Sequence, residues 1–193
     1  MERDRERARD ADRTRKRLLE AAAMEFAALG IAGARVDRIA GTAGCNKAMI
    51  YAYFGNKDQL FDAVFIAHVA ALVEQVPFDV TDLPGYAGRL FDRYEDNPAT
   101  QRLATWYRLE RPQGAPLQAV VSANQAKLEK LAHAQREGII PDHFAPVDLL
   151  ALILAISAAW SSIVPELGVT APADRDYRRR TVVDAVRRLL ADS

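Results

Sequence analysis

The chain has 193 residues, of which 50% are hydrophobic, 27% charged and 8% aromatic, enough apolar material for one or two packed domains and too much for a disordered tail. Its 26 basic and 26 acidic side chains cancel, its one cysteine excludes an intrachain disulfide or a cysteine-based zinc site, and no apolar stretch follows the charged start as a secretion signal requires. A cytoplasmic protein is expected, and the total charge alone offers no argument for a nucleic-acid or membrane partner.

From Glu2 to Arg17 there are eight basic and five acidic side chains and almost nothing to bury before Leu18, so residues 1–13 read as a flexible charged arm, either mobile or frayed helix. Leu18, Ala22, Phe26 and Leu29 then step by four, four and three, which predicts a helix over 14–29, with Gly30 where a left-handed cap sits. Val36, Ile39, Ala40 and Ala43 predict a short second helix ending before Gly44. A third is predicted over 47–54, capped by Asn46, with Ile50 and Phe54 apolar. The fourth opens on a capping-box-like Asn56-Lys57-Asp58-Gln59 and carries Leu60, Phe61, Val64, Phe65, His68 and Leu72. Prolines divide the remainder into helices expected at about 83–96, 99–111, 116–137 and 146–164, with a last one at about 174–191. The uncharged run from Leu149 to Pro165 falls short of the roughly 18 to 20 residues a membrane helix needs. No alternating strand pattern occurs between hairpin turns, so the class is all-α, with about nine helices.

Three short helices in the first 55 residues, the second and third joined by a tight turn, match a helix-turn-helix plan. In Ile39-Ala40-Gly41-Thr42-Ala43-Gly44-Cys45-Asn46-Lys47-Ala48-Met49-Ile50-Tyr51-Ala52-Tyr53-Phe54, Ala40 permits close helix approach, Gly44 can take a positive φ, and Ile39, Ile50 and Phe54 supply a shared core. Lys47, Ala48, Met49, Tyr51 and Tyr53 are left free for a major groove. Lysine can reach phosphate or guanine, alanine and methionine a thymine methyl, and tyrosine a phosphate. Tyr53 can equally cover the core of the head, and Lys57 can equally be a solvated first-turn charge. Cys45 has no partner thiol and reads as a small turn side chain.

Over Thr14 to Phe65 the chain resembles the tetracycline-repressor (TetR) family of bacterial transcriptional regulators. The likeness is strongest at Ile39-Ala40, Ala43-Gly44, Lys47, Ile50-Tyr51, Tyr53-Phe54-Gly55-Asn56-Lys57 and Leu60-Phe61. The resemblance implies a homodimer, each subunit with a DNA-binding head, here residues 14–55, and a helical ligand-binding and dimerisation body, here residues 56–193. It also implies DNA contacts from Lys47, Met49, Tyr51, Tyr53 and Lys57. Two departures stand out. Where the family starts its second helix with a capping Thr or Ser, this chain has Ala34-Arg35-Val36, which loses the cap but leaves Arg35 able to reach a phosphate. The family's Ser-Lys-Gly-Thr at the third helix reads Asn46-Lys47-Ala48-Met49, which keeps a cap and removes a hydroxyl.

The helix at 146–164 is apolar on nearly every face. Leu149, Ile153, Ile156 and Trp160, with Val182, Val186 and Leu189 of the last helix, are expected either to pair with a second copy as a four-helix interface or to form an intrachain core. Phe65, His68, Trp106, Tyr107 and Asn124 lie in or beside apolar stripes of the body, where each either orients a small-molecule effector or completes the core. His133, Asp142 and His143 lack metal-ligand spacing, and no phosphate loop or nucleophile elbow occurs, so no metal, cofactor or catalytic residue is expected and the protein is not read as an enzyme. The resemblance thus implies a ligand-responsive repressor that binds a near-palindromic operator as a homodimer. The competing reading is a helical ligand-binding or scaffold protein whose head no longer reads DNA. Division of the charge at residue 60 is compatible with the first and removes the argument against DNA: residues 1–60 carry 12 basic and 9 acidic groups, and residues 61–193 carry 14 and 17.

Overall fold

The computed structural model describes residues 1–111, 114, 116–163, 165–170 and 174–191. Among these residues there are ten α-helices: α1 (Glu2–Gly33), α2 (Val36–Thr42), α3 (Lys47–Phe54), α4 (Lys57–Gln75), α5 (Leu83–Asp96), α6 (Pro98–Glu110), α7 (Gln118–Arg136), α8 (Pro146–Ser157), α9 (Pro165–Gly168) and α10 (Arg175–Leu189). The described residues contain no strand, as the absence of alternation predicts, and no single helix among them is long and apolar enough to cross a membrane.

Two boundaries differ from expectation. Helix α1 begins at Glu2, so the charged arm is helical backbone continuous with the head; it holds no proline or glycine to stop a helix propagating backwards from the buried Leu18. The helix expected over 146–164 stops at Ser157, whose buried hydroxyl donates to the Ile153 carbonyl at 2.7 Å. The chain then tightens into a 3-10 turn at Trp160–Ser162. The residue Pro165 opens α9, the next helix after that turn.

The chain forms two compact units, the first being Met1–Val69 with Arg102–Leu117 and the second Ala70–Gln101 with Gln118–Ser193. In the first, small residues of α1 (Ala21, Ala22, Ala23, Ala27) and of the second helix (Ala40) are buried, along with Leu18, Ile39, Ile50 and Leu60. An aromatic ladder crosses this core. Phe26 meets Phe61 edge-on at 5.2 Å, Phe61 stacks on Phe65 at 6.2 Å, and Phe65 stacks on Tyr107 at 4.6 Å.

The core of the second unit joins Leu83, Tyr86, Ala87, Leu90, Phe91 and Tyr94 of α5 to Leu131 of α7, Leu149, Leu150 and Ile153 of α8, and Val182 and Val186 of α10. At Gly88 a Cβ would stand 2.9 Å from both Arg179 and Val183, so the missing side chain is what lets α10 lie on α5. Arginines of α10 then clasp acids of α5: Arg175 to Asp96 at 2.7 Å, Arg178 to Glu95 at 2.7 Å, and Arg179 to Asp92 at 2.7 Å.

This packing corrects the interface expected from sequence. Leu149, Ile153, Val182 and Val186 are 2% exposed or less and belong to the chain's own core, because α10 turns its valines onto α5 and α8. Ile156, Trp160 and Leu189 are only partly buried at its edge. The outward face of α8 is a different strip, with Ala151, Leu152, Ala155 and the adjoining Ala159 exposed.

Candidate nucleic-acid interface

The turn between α2 and α3 is built as its sequence requires. Gly44 takes φ 63°, the Cys45 amide donates to the Ala40 carbonyl at 2.9 Å, and the Asn46 carboxamide oxygen accepts the Met49 amide at 2.9 Å, capping α3. Ile39 and Ile50, both fully buried, lock the two helices together, and Phe54 closes the end. What α3 leaves outside is one face: Lys47, Ala48, Tyr51 and Ala52, of which Tyr51 is 44% exposed. Met49 and Tyr53 sit half-buried beside it, with Tyr53 leaning on Phe54 at 6.1 Å. Ala52, absent from the residues expected from sequence, shares the face by helical spacing from Ala48.

The Lys47 ammonium pairs with Asp37 of α2 at 3.1 Å, and both side chains remain about half exposed. Arg35 is exposed at the start of α2, and no side chain caps that helix from the cap position itself. The amide of the cap residue is met from α1 instead. One oxygen of Glu25 accepts the Arg35 amide at 2.8 Å and the Arg38 Nε at 2.8 Å, and Arg38 adds a second approach at 2.7 Å. Burial alone would raise the Glu25 carboxyl; the hydrogen bonds from Arg38 and the Arg35 amide, with the charge of both arginines, outweigh it and hold the group below its usual range. The available signal was an acid beside Phe26 in a helix otherwise closing on alanines.

Lys57 does not face outward as expected. Its ammonium donates to the carbonyls of Ala32 and Ala34 at 3.2 and 3.3 Å, satisfying the link between α1 and α2. That link also depends on the second half of α6. Gly30 breaks α1 with φ 72°, the Glu110 carboxylate accepts the Ala32 amide at 2.8 Å, and the Trp106 indole N–H reaches the Ala27 carbonyl at 3.4 Å. Arg111 extends the same contact to Asp62 and, at 3.2 Å, to Asp58.

The residues considered for an effector therefore separate. Trp106 and Tyr107 are engaged within the first unit, one on the backbone of α1 and the other on Phe65, and the His68 ring nitrogen lies 3.0 Å from the Val64 carbonyl. Asn124 belongs to the second unit.

Residues 18–64 match the family model described as bacterial regulatory proteins, tetR family, and residues 82–188 match that of the tetracyclin repressor-like C-terminal domain. The HTH-type transcriptional repressor SCO4008 of Streptomyces coelicolor is 40% identical over 162 residues, which is 83% of this chain and 84% of that protein. The crystal structure of SCO4942 from the same organism superposes with a TM-score of 0.80 at 44% identity, covering 91% of this chain and 97% of the other. FadR of Bacillus subtilis, solved in complex with stearoyl-CoA, shares the fold at TM-score 0.65 and 16% identity, over 89% of this chain and 96% of that one.

Proposed function

The chain belongs to the TetR family of bacterial regulatory proteins and is a regulator rather than an enzyme, and from that premise we propose that it represses transcription as a homodimer on a near-palindromic operator and is released by a small-molecule effector. The observation that carries this reading is the exposed face Lys47, Ala48, Tyr51 and Ala52 on a capped third helix. A cation, two small side chains and a phenol suit a major groove: the lysine and phenol take phosphate or a base edge, and the small residues let the helix sit deep. Met49 and Tyr53 border that face, and Arg35 stands at the start of α2 to meet the backbone. In this proposal residues 14–55 read DNA and residues 56–193 hold the effector and the dimer contact.

Two heads would place their third helices in major grooves about one turn (~34 Å) apart or at a related spacing. The exposed strip Ala151, Leu152, Ala155 and Ala159 supports α8 as the face that meets a second copy, since small residues permit close helix packing. Leu152→Asp should give a folded monomer by light scattering, whereas a dimer retained in that variant moves the interface elsewhere.

The deciding experiment is a gel-shift titration against the DNA flanking the protein's own gene, at two salt concentrations. Specific retardation that weakens with salt is expected. A folded dimer without specific binding at low salt would overturn the repressor and leave the helical ligand-binding or scaffold protein in its place.

A further inference from the structure

Charged groups of the second unit differ in how they are paired. Those between α5 and α10 are joined acid to arginine, as described above, although the Arg178 Nε has no hydrogen-bond partner. Two cations, Lys127 and Arg93, make no ion pair among the described residues. On α7 the Lys127 ammonium lies 5.9 Å from the centre of the Tyr86 ring, with no ion pair and no hydrogen bond among the described residues. On α5 the Arg93 Nε is buried without a hydrogen-bond partner. Arg93 follows Tyr86 by two helical turns and so shares its stripe. Asp96 feels the Arg93 charge, but its carboxyl is held down first by the hydrogen bond from Arg175 and is already committed there. Tyr86 is 1% exposed and its hydroxyl has no hydrogen-bond partner among the described residues, whereas the Tyr94 hydroxyl is met by Gln101.

Such a grouping is costly. Lys127 is half-buried, and a cation partly withdrawn from water without a counter-charge gains only the face of a ring, while an unpaired buried N–H calls for an explanation. The flexible stem of Lys127 could carry its head to water, yet burial is deep enough to lower its ammonium from the ordinary lysine value. Burial likewise raises the Tyr86 phenol, which stays neutral and available as a donor. Apolar walls adjoin these groups: Phe78 meets Tyr86 edge-on at 4.9 Å, and Leu128 packs on the same core. Asn124 stands one turn before Lys127 on α7. Few polar groups set among apolar walls are what a small-molecule site requires.

We infer that Lys127, Arg93 and Tyr86 form the anion-binding end of the effector site, and that the effector is a small organic carboxylate with an apolar body. The inference rests on the effector-released repressor proposed above and adds the chemical class of its ligand. Lys127 supplies the charge, Arg93 and Tyr86 donate hydrogen bonds, and the Phe78 side of Tyr86 faces the apolar part.

The test is calorimetric titration of the full chain with 1-naphthoate and octanoate, each against its neutral amide and the amine of the same skeleton. At least one carboxylate should bind about tenfold or more tighter than its amide. Lys127→Met should weaken that carboxylate by about 10- to 100-fold, the range for a charge-assisted hydrogen bond, and leave the amide unchanged. Lys127→Arg should restore most of the loss, and Tyr86→Phe should cost a smaller factor. Far-UV circular dichroism checks the fold, and Lys127→Gln takes the place of the methionine variant if that one does not fold. Carboxylates that bind no better than amides or not at all, preference for the amines, or an unchanged affinity in Lys127→Met would each overturn the inference and leave the lysine as a cover for Tyr86. Gel shifts on the same preparations separate the two proposals. Operator binding without carboxylate preference removes only this one, and carboxylate preference without operator binding removes only the repressor.

Discussion

Acidic side chains at the α1–α2 link of the first unit and between α5 and α10 of the second are used in different ways. In the first, Glu25 and Glu110 accept backbone amides, those of Arg35 and Ala32, and Asn46 and Asn56 do the same at the starts of α3 and α4. In the second, Asp92, Glu95 and Asp96 accept guanidinium groups of α10. A carboxylate on a backbone amide fixes where a helix begins, because the donor cannot move without the chain. A carboxylate on an arginine joins two long side chains and tolerates adjustment between helices. Both kinds occur in each unit, for Arg111 pairs with Asp62 in the first and Asp82 accepts the Gly85 amide in the second.

The difference is tested most severely by removing packing. Phe91 is 1% exposed in the second core, with the Arg178 guanidinium 6.0 Å over its ring. Phe91→Ala should cost about 3–5 kcal/mol, seen as a lower denaturant midpoint at constant slope. The salt bridges of α10 should not rescue it: the half-exposed pairs of Arg175 and Arg179 are each worth roughly 0–1 kcal/mol, and the more buried Arg178–Glu95 pair loses much of its attraction to desolvation. A loss under about 1 kcal/mol would mean that those pairs, and not the core, hold α10 on α5.

The next largest effect belongs to the link between α1 and α2. At Gly30, φ 72° disfavours any other residue, and a Cβ would collide with the Glu110 carboxylate and stand 2.8 Å from Trp106. Gly30→Ala should destabilise by about 1–3 kcal/mol and weaken operator binding at temperatures where the protein is still folded. Unchanged operator affinity would show that this link does not position α2.

Glu25 allows the same comparison at smaller scale. Glu25→Ala removes the acceptor at the start of α2 and should cost about 1 kcal/mol, with a matching loss of operator affinity, while Glu25→Gln keeps an acceptor oxygen and should lose less. Because the folded carboxyl lies below its unfolded value, its contribution is complete above the unfolded pKa and disappears as pH falls through the folded one. The difference in stability between wild type and Glu25→Ala should therefore shrink on acidification below the ordinary carboxylate range, and a constant difference would place the effect outside ionisation.

Sequence and structure agree where a signal is local. The caps at Asn46 and Asn56, the positive φ at Gly30 and Gly44, and the buried Ile39, Ile50 and Phe54 all follow from neighbours in the chain. They part where a partner is distant in sequence. Glu25 accepts an amide ten residues away, Glu110 reaches Ala32 across 78 residues, and Lys57 turns to carbonyls 25 and 23 residues before it. None of these alters hydrophobic periodicity, so periodicity could not reveal them. The valines of α10 illustrate the same limit: an amphipathic stripe states that a face is buried, not against what.

Lys47 gives the smallest stability change and the sharpest functional one. Its pair with Asp37 is half exposed, so Lys47→Ala should change unfolding by less than about 1 kcal/mol and leave the oligomeric state as it is. On DNA the same side chain must leave Asp37 or share it with a phosphate. If phosphate is the partner, the variant binds all sequences more weakly and the salt slope of binding falls by about one. If guanine is the partner, the loss is concentrated at one operator position and is about 1–3 kcal/mol there. Asp37→Asn should act in the opposite direction, since it frees the ammonium beforehand and removes an acid from beside the DNA. Equal operator affinity in wild type, Lys47→Ala and Asp37→Asn, measured by gel shift at two salt concentrations, would place the reading face on some part of the head other than α3.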